Sequence, residues 1–171
     1  LMRLRTHGIT RDPEEMVHPT DALWYNEQVE LGFNYRMTDF QAALLLSQLK
    51  KLPMFRARRK EIKKRYDEAF GKMPELILQK EIPESDTTWH LYVLHLNLEN
   101  LNCDRRQFFD ALYAEHTCPQ VHYLPVYWHS YYEKLGYKKG LCPNAEKYYN
   151  EVMSIPLYYG LTDDDVEDVI H

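Results

Sequence analysis

Apolar residues run almost all the way round a helix predicted from Phe40 to Leu49. The segment consists of strong helix formers, and Thr38 with Gln41 three residues later has the pattern of a capping box at its start. Asp39 in the first turn suits the positive end of the helix dipole. Because the apolar surface is so wide, we expect this helix to be buried on more than one side.

A second helical stripe runs from Phe55 to Phe70, with Ile62 and Tyr66 on one face. Pro53 fits the first turn of that helix or a kink in one long helix. The remaining faces are strongly basic. Because acidic residues are interspersed, this pattern favours a solvated face stabilised by ion pairs, with a polyanion-binding site as the alternative.

Short extended segments and helices alternate in the rest of the chain. The strand pattern occurs at Leu76–Gln79, Trp89–Leu96, Gln120–Tyr123 and Ser154–Leu157. Helices are predicted at Asp104–Tyr113, at Pro143–Val152 and after Thr162, each with a capping residue or an N-terminal proline. The order of strand, helix and strand predicts an α/β fold. Residues 10–30 are expected to form a loop with a short helix near Asp21–Tyr25.

Composition narrows the function classes. The 171 residues are 44% hydrophobic with a formal net charge of −5, which fits a folded protein and disfavours general nucleic-acid binding. The three cysteines are odd in number and lack CxxC spacing, which indicates a reducing compartment, and we expect the cytoplasm. No stretch predicts a membrane span, so we expect no membrane partner.

Two polar segments carry candidate chemistry. Residues 32–38 place an amide, a phenol and a guanidinium ahead of a helix N-terminus, where anions bind; an ordinary loop before a core helix is the alternative. Residues 120–127 combine an imidazole and two phenols at a strand end; a packed tyrosine-rich turn is the alternative. His90 and His95 fall on opposite faces of their predicted strand, so no metal site is predicted.

Together these segments resemble the DegT/DnrJ/EryC1/StrS family of pyridoxal-phosphate (PLP) sugar-nucleotide aminotransferases. The resemblance begins with Gly32–Met37, Gln41–Ala43 and Ser47–Leu52, and it includes Arg5–Ile9. Further similar segments follow in the family's order at Trp89–Tyr92, Gln120–Tyr127, Ser154–Leu157 and Leu161–Asp163. The branch most resembled makes UDP-4-amino-4,6-dideoxy-N-acetyl-β-L-altrosamine for pseudaminic acid. One departure is His116–Pro119, where relatives usually have a glycine that ends the preceding helix.

The resemblance implies the C-terminal portion of a fold-type-I aminotransferase, an α/β protein with an α+β small domain. Residues 1–51 would be the tail of the large PLP-binding domain with a dimer-facing loop and helix, and residues 52–171 the small domain. Leu1–Gly8 has the pattern of a helix end, which also suggests a fragment. None of the eleven lysines lies in the family's cofactor-lysine motif, so we assign no catalytic residue and expect this chain alone to be inactive.

The implied reaction moves an amino group from glutamate, through PLP, to C4 of a UDP-4-keto-6-deoxy sugar for bacterial surface polysaccharide, lipopolysaccharide or pseudaminic acid. By resemblance, Asn34 and Arg36 would bind the cofactor, with Asn34 reaching the phosphate of the neighbouring subunit in a homodimer with shared active sites. The implied substrate-binding residues are His7, His122, Tyr123 and Tyr127. The alternative is a non-catalytic dimerisation or ligand-binding module of the same fold.

Overall fold

The computed structural model describes residues 1–18, 20 and 22–171, which divide into two units, Leu1–Lys51 and Leu52–His171. The assignment of the first unit to a larger domain stays a prediction. Of the short helix expected near Asp21–Tyr25, Asp21 lies outside the described residues. Residues 22–25 form a turn, in which the Tyr25 amide donates to the Ala22 carbonyl over 3.0 Å.

The first unit pairs two short antiparallel strands, β1 (Ile9–Thr10) and β2 (Glu27–Gln28). The predicted helix end before them is a single turn over residues 2–5, and the Gly8 amide donates to the Arg3 carbonyl over 3.0 Å. Gly8 has φ +72°, and a Cβ there would lie 1.8 Å from the Glu30 carbonyl oxygen. A side chain cannot fit at this position, because the two backbone segments touch.

Helix α1 (Asp39–Leu49) follows. Its predicted capping box is confirmed, because the Thr38 hydroxyl accepts from the Gln41 amide and the Gln41 side chain accepts from the Thr38 amide. The expected burial is wrong for this chain. No residue of α1 is buried, and the side chains of Phe40 and Leu46 are 83% and 62% exposed. The apolar surface that the sequence predicts therefore exists, but the described residues do not cover it.

The second unit contains a three-stranded antiparallel sheet of β3 (Leu76–Ile77), β4 (Tyr92–Leu96) and β5 (Val152–Ile155), in that order. The predicted strand at Gln120–Tyr123 is wrong, since only Gln120 pairs with the sheet, through the backbone of Ser154. Strand β4 begins at Tyr92 rather than at the predicted Trp89, whose φ of +51° lies outside the β region.

The core lies between this sheet and α2 (Leu52–Phe70), which starts after a turn at Lys50–Lys51 and has Pro53 in its first turn. Alternate β4 residues, from Tyr92 to Leu96, are buried, as the pleat requires. The helix contributes Ile62, Tyr66 and Phe70 to the same apolar cluster. This confirms the predicted stripe of α2.

Four further helices complete the second unit: α3 (Arg105–Ala114), α4 (Ser130–Lys134), α5 (Pro143–Glu151) and α6 (Asp163–Ile170), with a 3₁₀ turn at Val126–Trp128. Capping boxes start α3 and α6, and proline starts α5, as predicted. Among the described residues, no helix is long and apolar enough to cross a membrane.

The basic face of α2 is only partly solvated, which corrects the sequence prediction. Arg58 and Arg65 both bind the Asp163 carboxylate of α6, at 2.9 and 2.7 Å. Arg59 Nη1 donates to three backbone carbonyls, those of Trp89, His90 and Leu157, at 2.9–3.1 Å. The ion pairs are therefore present, but several of the cations hold the second unit together rather than face solvent.

The end of α3 accounts for the departure from the family's glycine. His116, the second residue after α3, has φ +61°, and the Thr117 amide donates to the Leu112 carbonyl over 3.0 Å. This bond closes the helix in the manner of a Schellman motif, whose left-handed position glycine usually fills. The backbone therefore turns as a glycine would allow, with a histidine in the strained conformation.

Candidate functional site

Backbone pairing fixes the polar segment ahead of α1. The Phe33 amide donates to the Leu4 carbonyl over 2.7 Å, the His7 amide to the Phe33 carbonyl over 2.9 Å, and the Tyr35 amide to the Arg5 carbonyl over 2.9 Å. Residues 33–35 thus run beside residues 4–7. This pairing brings two of the predicted site residues, His7 and Asn34, close together in the chain's first unit.

The side chains of residues 33–36 alternate between the two sides of this extended segment. The rings of Phe33 and Tyr35 stack with centroids 5.1 Å apart and help to line an apolar recess of about 410 Å³. Because alternate side chains of an extended segment point to opposite sides, Asn34 and Arg36 share the other side. Both are exposed, and neither side chain makes a hydrogen bond to another described residue. An amide and a guanidinium are therefore available as donors.

The second group of predicted residues surrounds the sheet edge at Ser154. His122 Nε2 lies 2.8 Å from Ser154 Oγ, while His122 Nδ1 is buried without a hydrogen-bond partner among the described residues. Tyr123, whose ring lies 4.7 Å from that of His122 and nearly perpendicular to it, is 76% exposed. A buried nitrogen without a partner is costly, so the polar groups of this imidazole are only partly satisfied by the described residues.

Tyr127 is held by a residue that sequence reasoning missed. Its hydroxyl donates to Glu146 Oε1 over 2.6 Å and accepts from the Cys142 amide over 3.2 Å. Burial and this carboxylate raise the pKa of Tyr127. The Tyr127 hydroxyl and the other donors to Glu146 lower the pKa of the Glu146 carboxyl. The only signal at Glu146 was an acid in the first turn of a helix, which is common. Tyr127 therefore offers its ring, since its hydroxyl proton is already used.

Among the residues that the structure describes, the remaining histidines belong to no cluster of metal-binding side chains. His90 precedes β4, and His95 Nε2 lies 2.7 Å from a carboxylate oxygen of Glu151. Within the described part of the chain, no group of three or more histidine, cysteine, aspartate or glutamate residues could hold a metal ion. The predicted residues thus form two groups, one in each unit.

The sequence matches the DegT/DnrJ/EryC1/StrS aminotransferase family over residues 1–171. The chain belongs to this family. It is 39% identical over 169 residues to the spore coat polysaccharide biosynthesis protein SpsC of Bacillus subtilis. This match covers 98% of this chain and 43% of the relative. It is 36% identical over 155 residues to the UDP-4-amino-4,6-dideoxy-N-acetyl-β-L-altrosamine transaminase of Campylobacter jejuni, with coverages of 91% and 38%.

Solved structures agree on the fold. The Helicobacter pylori aminotransferase PseC, described as involved in the biosynthesis of pseudoaminic acid, superposes with a TM-score of 0.81 at 26% identity. The match covers 99% of this chain and 43% of PseC. The chain therefore has the architecture of one portion of such an aminotransferase, and it spans less than half the length of the relatives it matches.

The cofactor of the family is PLP, and a sugar aminotransferase of Streptococcus pneumoniae with a TM-score of 0.80 and 25% identity was solved in its PLP form. The match to that structure covers 99% of this chain and 40% of the other. The donors at Asn34 and Arg36 fit a phosphate, which requires oriented N–H groups. PLP supplies an electron sink for amino-group transfer, and the side chains described here could contribute binding and orientation.

Proposed function

We propose that the protein to which this chain belongs transfers an amino group from glutamate, with PLP, to C4 of a UDP-4-keto-6-deoxy sugar. The observation that supports this most is the 36% identity to the Campylobacter transaminase over 91% of the chain. That relative is named for a 4-amino-4,6-dideoxy sugar on UDP, which a 4-keto-6-deoxy precursor would yield. The product would enter bacterial surface polysaccharide, lipopolysaccharide or pseudaminic acid biosynthesis in the cytoplasm.

In this proposal the first unit contributes phosphate donors. Asn34 and Arg36 bind the cofactor phosphate, with Asn34 reaching the site of the partner subunit in a homodimer, and His7 lies beside them at the substrate. Support comes from the free, exposed donors of both side chains and from the backbone pairing that orders them. The N-terminus of α1 directly afterwards favours an anion at this position.

The second unit contributes the entrance for the sugar nucleotide. His122, whose Nε2 lies 2.8 Å from Ser154 Oγ, contacts the substrate at this sheet edge. The exposed Tyr123 supplies a ring and a free hydroxyl, and Tyr127 supplies a ring. Rigid aromatic side chains can cover a sugar or uracil face at low entropic cost.

The direct test uses the protein at full length with PLP, glutamate labelled in its amino nitrogen, and the UDP-4-keto-6-deoxy sugar. We expect mass spectrometry to find the label in an amino sugar nucleotide. Absence of both cofactor absorbance and label transfer would instead support the non-catalytic module.

The chain alone should not bind PLP covalently, because none of its lysines lies in the family's motif. After incubation with PLP and reduction with borohydride, mass analysis should show no single lysine modified stoichiometrically. A unique pyridoxyl-lysine would contradict this expectation.

Replacement of Asn34 tests the phosphate contact. Loss of a charge-assisted hydrogen bond, worth roughly 1.5–3 kcal/mol, should weaken PLP binding by Asn34→Ala about ten- to a hundred-fold. Asn26→Ala, in the same unit and also exposed, is the matched control and should bind PLP normally.

Mixed dimers test whether Asn34 acts across the interface. One subunit carries Asn34→Ala and the other lacks the cofactor lysine. If Asn34 acts on the partner's site, both defects fall in one site and the other stays intact. Activity no higher than that of the Asn34→Ala parent would contradict the assignment.

A further inference from the structure

A single carboxylate oxygen gathers three donors on the surface of the second unit. Glu146 Oε1 lies 2.6 Å from the Tyr127 hydroxyl, 2.6 Å from the Gly140 amide and 3.4 Å from Trp128 Nε1. The donors come from a 3₁₀ turn and from a loop, and the carboxylate comes from the start of α5. One side chain therefore connects three segments.

A second layer of contacts closes this network. The Cys142 amide donates to the Tyr127 hydroxyl over 3.2 Å, and Lys139 Nζ lies 4.4 Å from the centre of the Trp128 ring. The loop of residues 135–142 has no helix or strand, and three of its large apolar side chains are exposed: Leu135, Tyr137 and Leu141. Backbone bonds tie residues 135–137 to α4. Residues 140–142 are held by the bond from the Gly140 amide to Glu146 and the bond from the Cys142 amide to Tyr127.

The charge of the Glu146 carboxylate, the shared acceptor, determines the strength of these hydrogen bonds. A tyrosine hydroxyl has one proton to donate, and here Glu146 takes it, so the Tyr127 ring is set in one orientation. A carboxylate forms stronger hydrogen bonds than an amide. A glutamine at this position would keep the shape but weaken all three bonds.

We propose that Glu146 is a positioning residue that fixes the Tyr127 ring and the 135–142 loop beside the sugar-nucleotide entrance. This inference rests on the proposed function, because Tyr127 is placed at that entrance there. Glu146 acts through Tyr127 and does not touch the substrate. It sets the affinity for the sugar nucleotide and leaves the chemistry of amino transfer unchanged.

The test compares Glu146→Gln, Tyr127→Phe and the double variant of the full-length protein. For Glu146→Gln we expect the KM for the UDP-4-keto sugar to rise about three- to ten-fold, with kcat within about two-fold of the original, as for lost uniform binding. Glu133→Gln on the neighbouring α4 is the matched control and should change neither constant.

The double variant separates positioning from general loosening. If Glu146 acts through Tyr127, the double variant should have a KM no higher than that of Glu146→Gln, since residues that act as one unit are not additive. Any of three results would overturn the inference. The KM of the double variant could rise by the product of the two single increases, the KM of Glu146→Gln could stay unchanged, or the loss could be confined to kcat.

Titration of UDP into each protein separates failure of the inference from failure of the proposed function. If the original protein binds no UDP and transfers no amino group, the proposed function fails and the inference falls with it. If the original protein binds UDP and Glu146→Gln binds it equally well, the inference alone is overturned. Tyr127→Phe, which keeps the ring, provides a second variant if Glu146→Gln does not fold.

Discussion

Strand β4 of the second unit and helix α1 of the first unit differ in how far their leucines are buried. In the second unit Leu94 and Leu96 of β4 are buried, and Leu96 is only 1% exposed. In the first unit α1 carries four leucines, each exposed, and the helix has no buried residue. One unit has a closed core within the described residues, whereas the other displays an apolar helix to solvent.

The difference shows that local sequence can determine where a helix forms without determining what the helix packs against. Thr38 and Gln41 define the start of α1 through local bonds, so the helix is predictable from a few neighbours. The described residues leave the apolar side chains of α1 exposed, and an exposed apolar patch is typical of a contact with another surface. The relatives that this chain matches are more than twice its length.

Matched leucine truncations should give the largest contrast. Leu96→Ala removes a fully buried side chain and should cost about 2–5 kcal/mol of unfolding free energy. Leu46→Ala in α1 removes one that is 62% exposed and should change it by less than about 0.5 kcal/mol. Urea denaturation of the chain measures both. Equal losses would show that α1 is packed and would remove the contrast between the units.

A smaller effect is expected at the end of α3, inside the well-packed unit. His116 occupies a left-handed conformation, which costs a residue with a side chain roughly 1–2 kcal/mol. His116→Gly should therefore raise the unfolding free energy by about 1 kcal/mol, after allowance for the greater freedom of glycine in the unfolded chain. His129→Gly, at φ −71°, is the control and should not stabilise. No gain from His116→Gly would mean that the strain is absent.

The smallest expected change in stability concerns the ion pairs that join α2 to α6. Arg58 and Arg65 hold the pKa of Asp163 below its usual value of 3.8. A lowered pKa in the folded state contributes stability above the unfolded value, which is lost as pH falls through the folded pKa. Asp163→Asn should therefore reduce the loss of stability between pH 6 and about pH 3.

Asp164→Asn is the control for this acid effect, since Asp164 has no ion pair among the described residues. The measurement is the shift of the urea midpoint between the two pH values. An Asp163→Asn variant that loses as much stability in acid as the original chain would contradict this role of the carboxylate.

The sequence predicts best those features that are determined by residues close together in the chain. Capping at Thr162 and the proline at Pro143 act within one turn, and both helices follow them. The segment Gln120–Tyr123 has strand-like residues, but only Gln120 finds a backbone partner, at Ser154. Pairing over 34 positions of sequence cannot be deduced from propensity alone.

The candidate site shows the same limit. Asn34 and His122 were selected through the resemblance to a family, and the structure adds the contacts of the surrounding backbone and of Ser154. Glu146 was missed because its three donors are 6–19 positions away and meet only in the fold. Trp89 has no local signal for its positive φ, so the start of β4 was misplaced.

The most direct test of the contrast is hydrogen exchange of α1, measured in this chain and in the full-length protein. In the chain alone, the amides of Asp39–Leu49 should exchange much faster than those of β4, because an exposed helix opens locally. In the full-length protein, α1 should become protected to the level of β4 as its apolar surface is covered. Fast exchange of α1 in both proteins would contradict the expectation that the apolar surface of α1 is covered in the full-length protein.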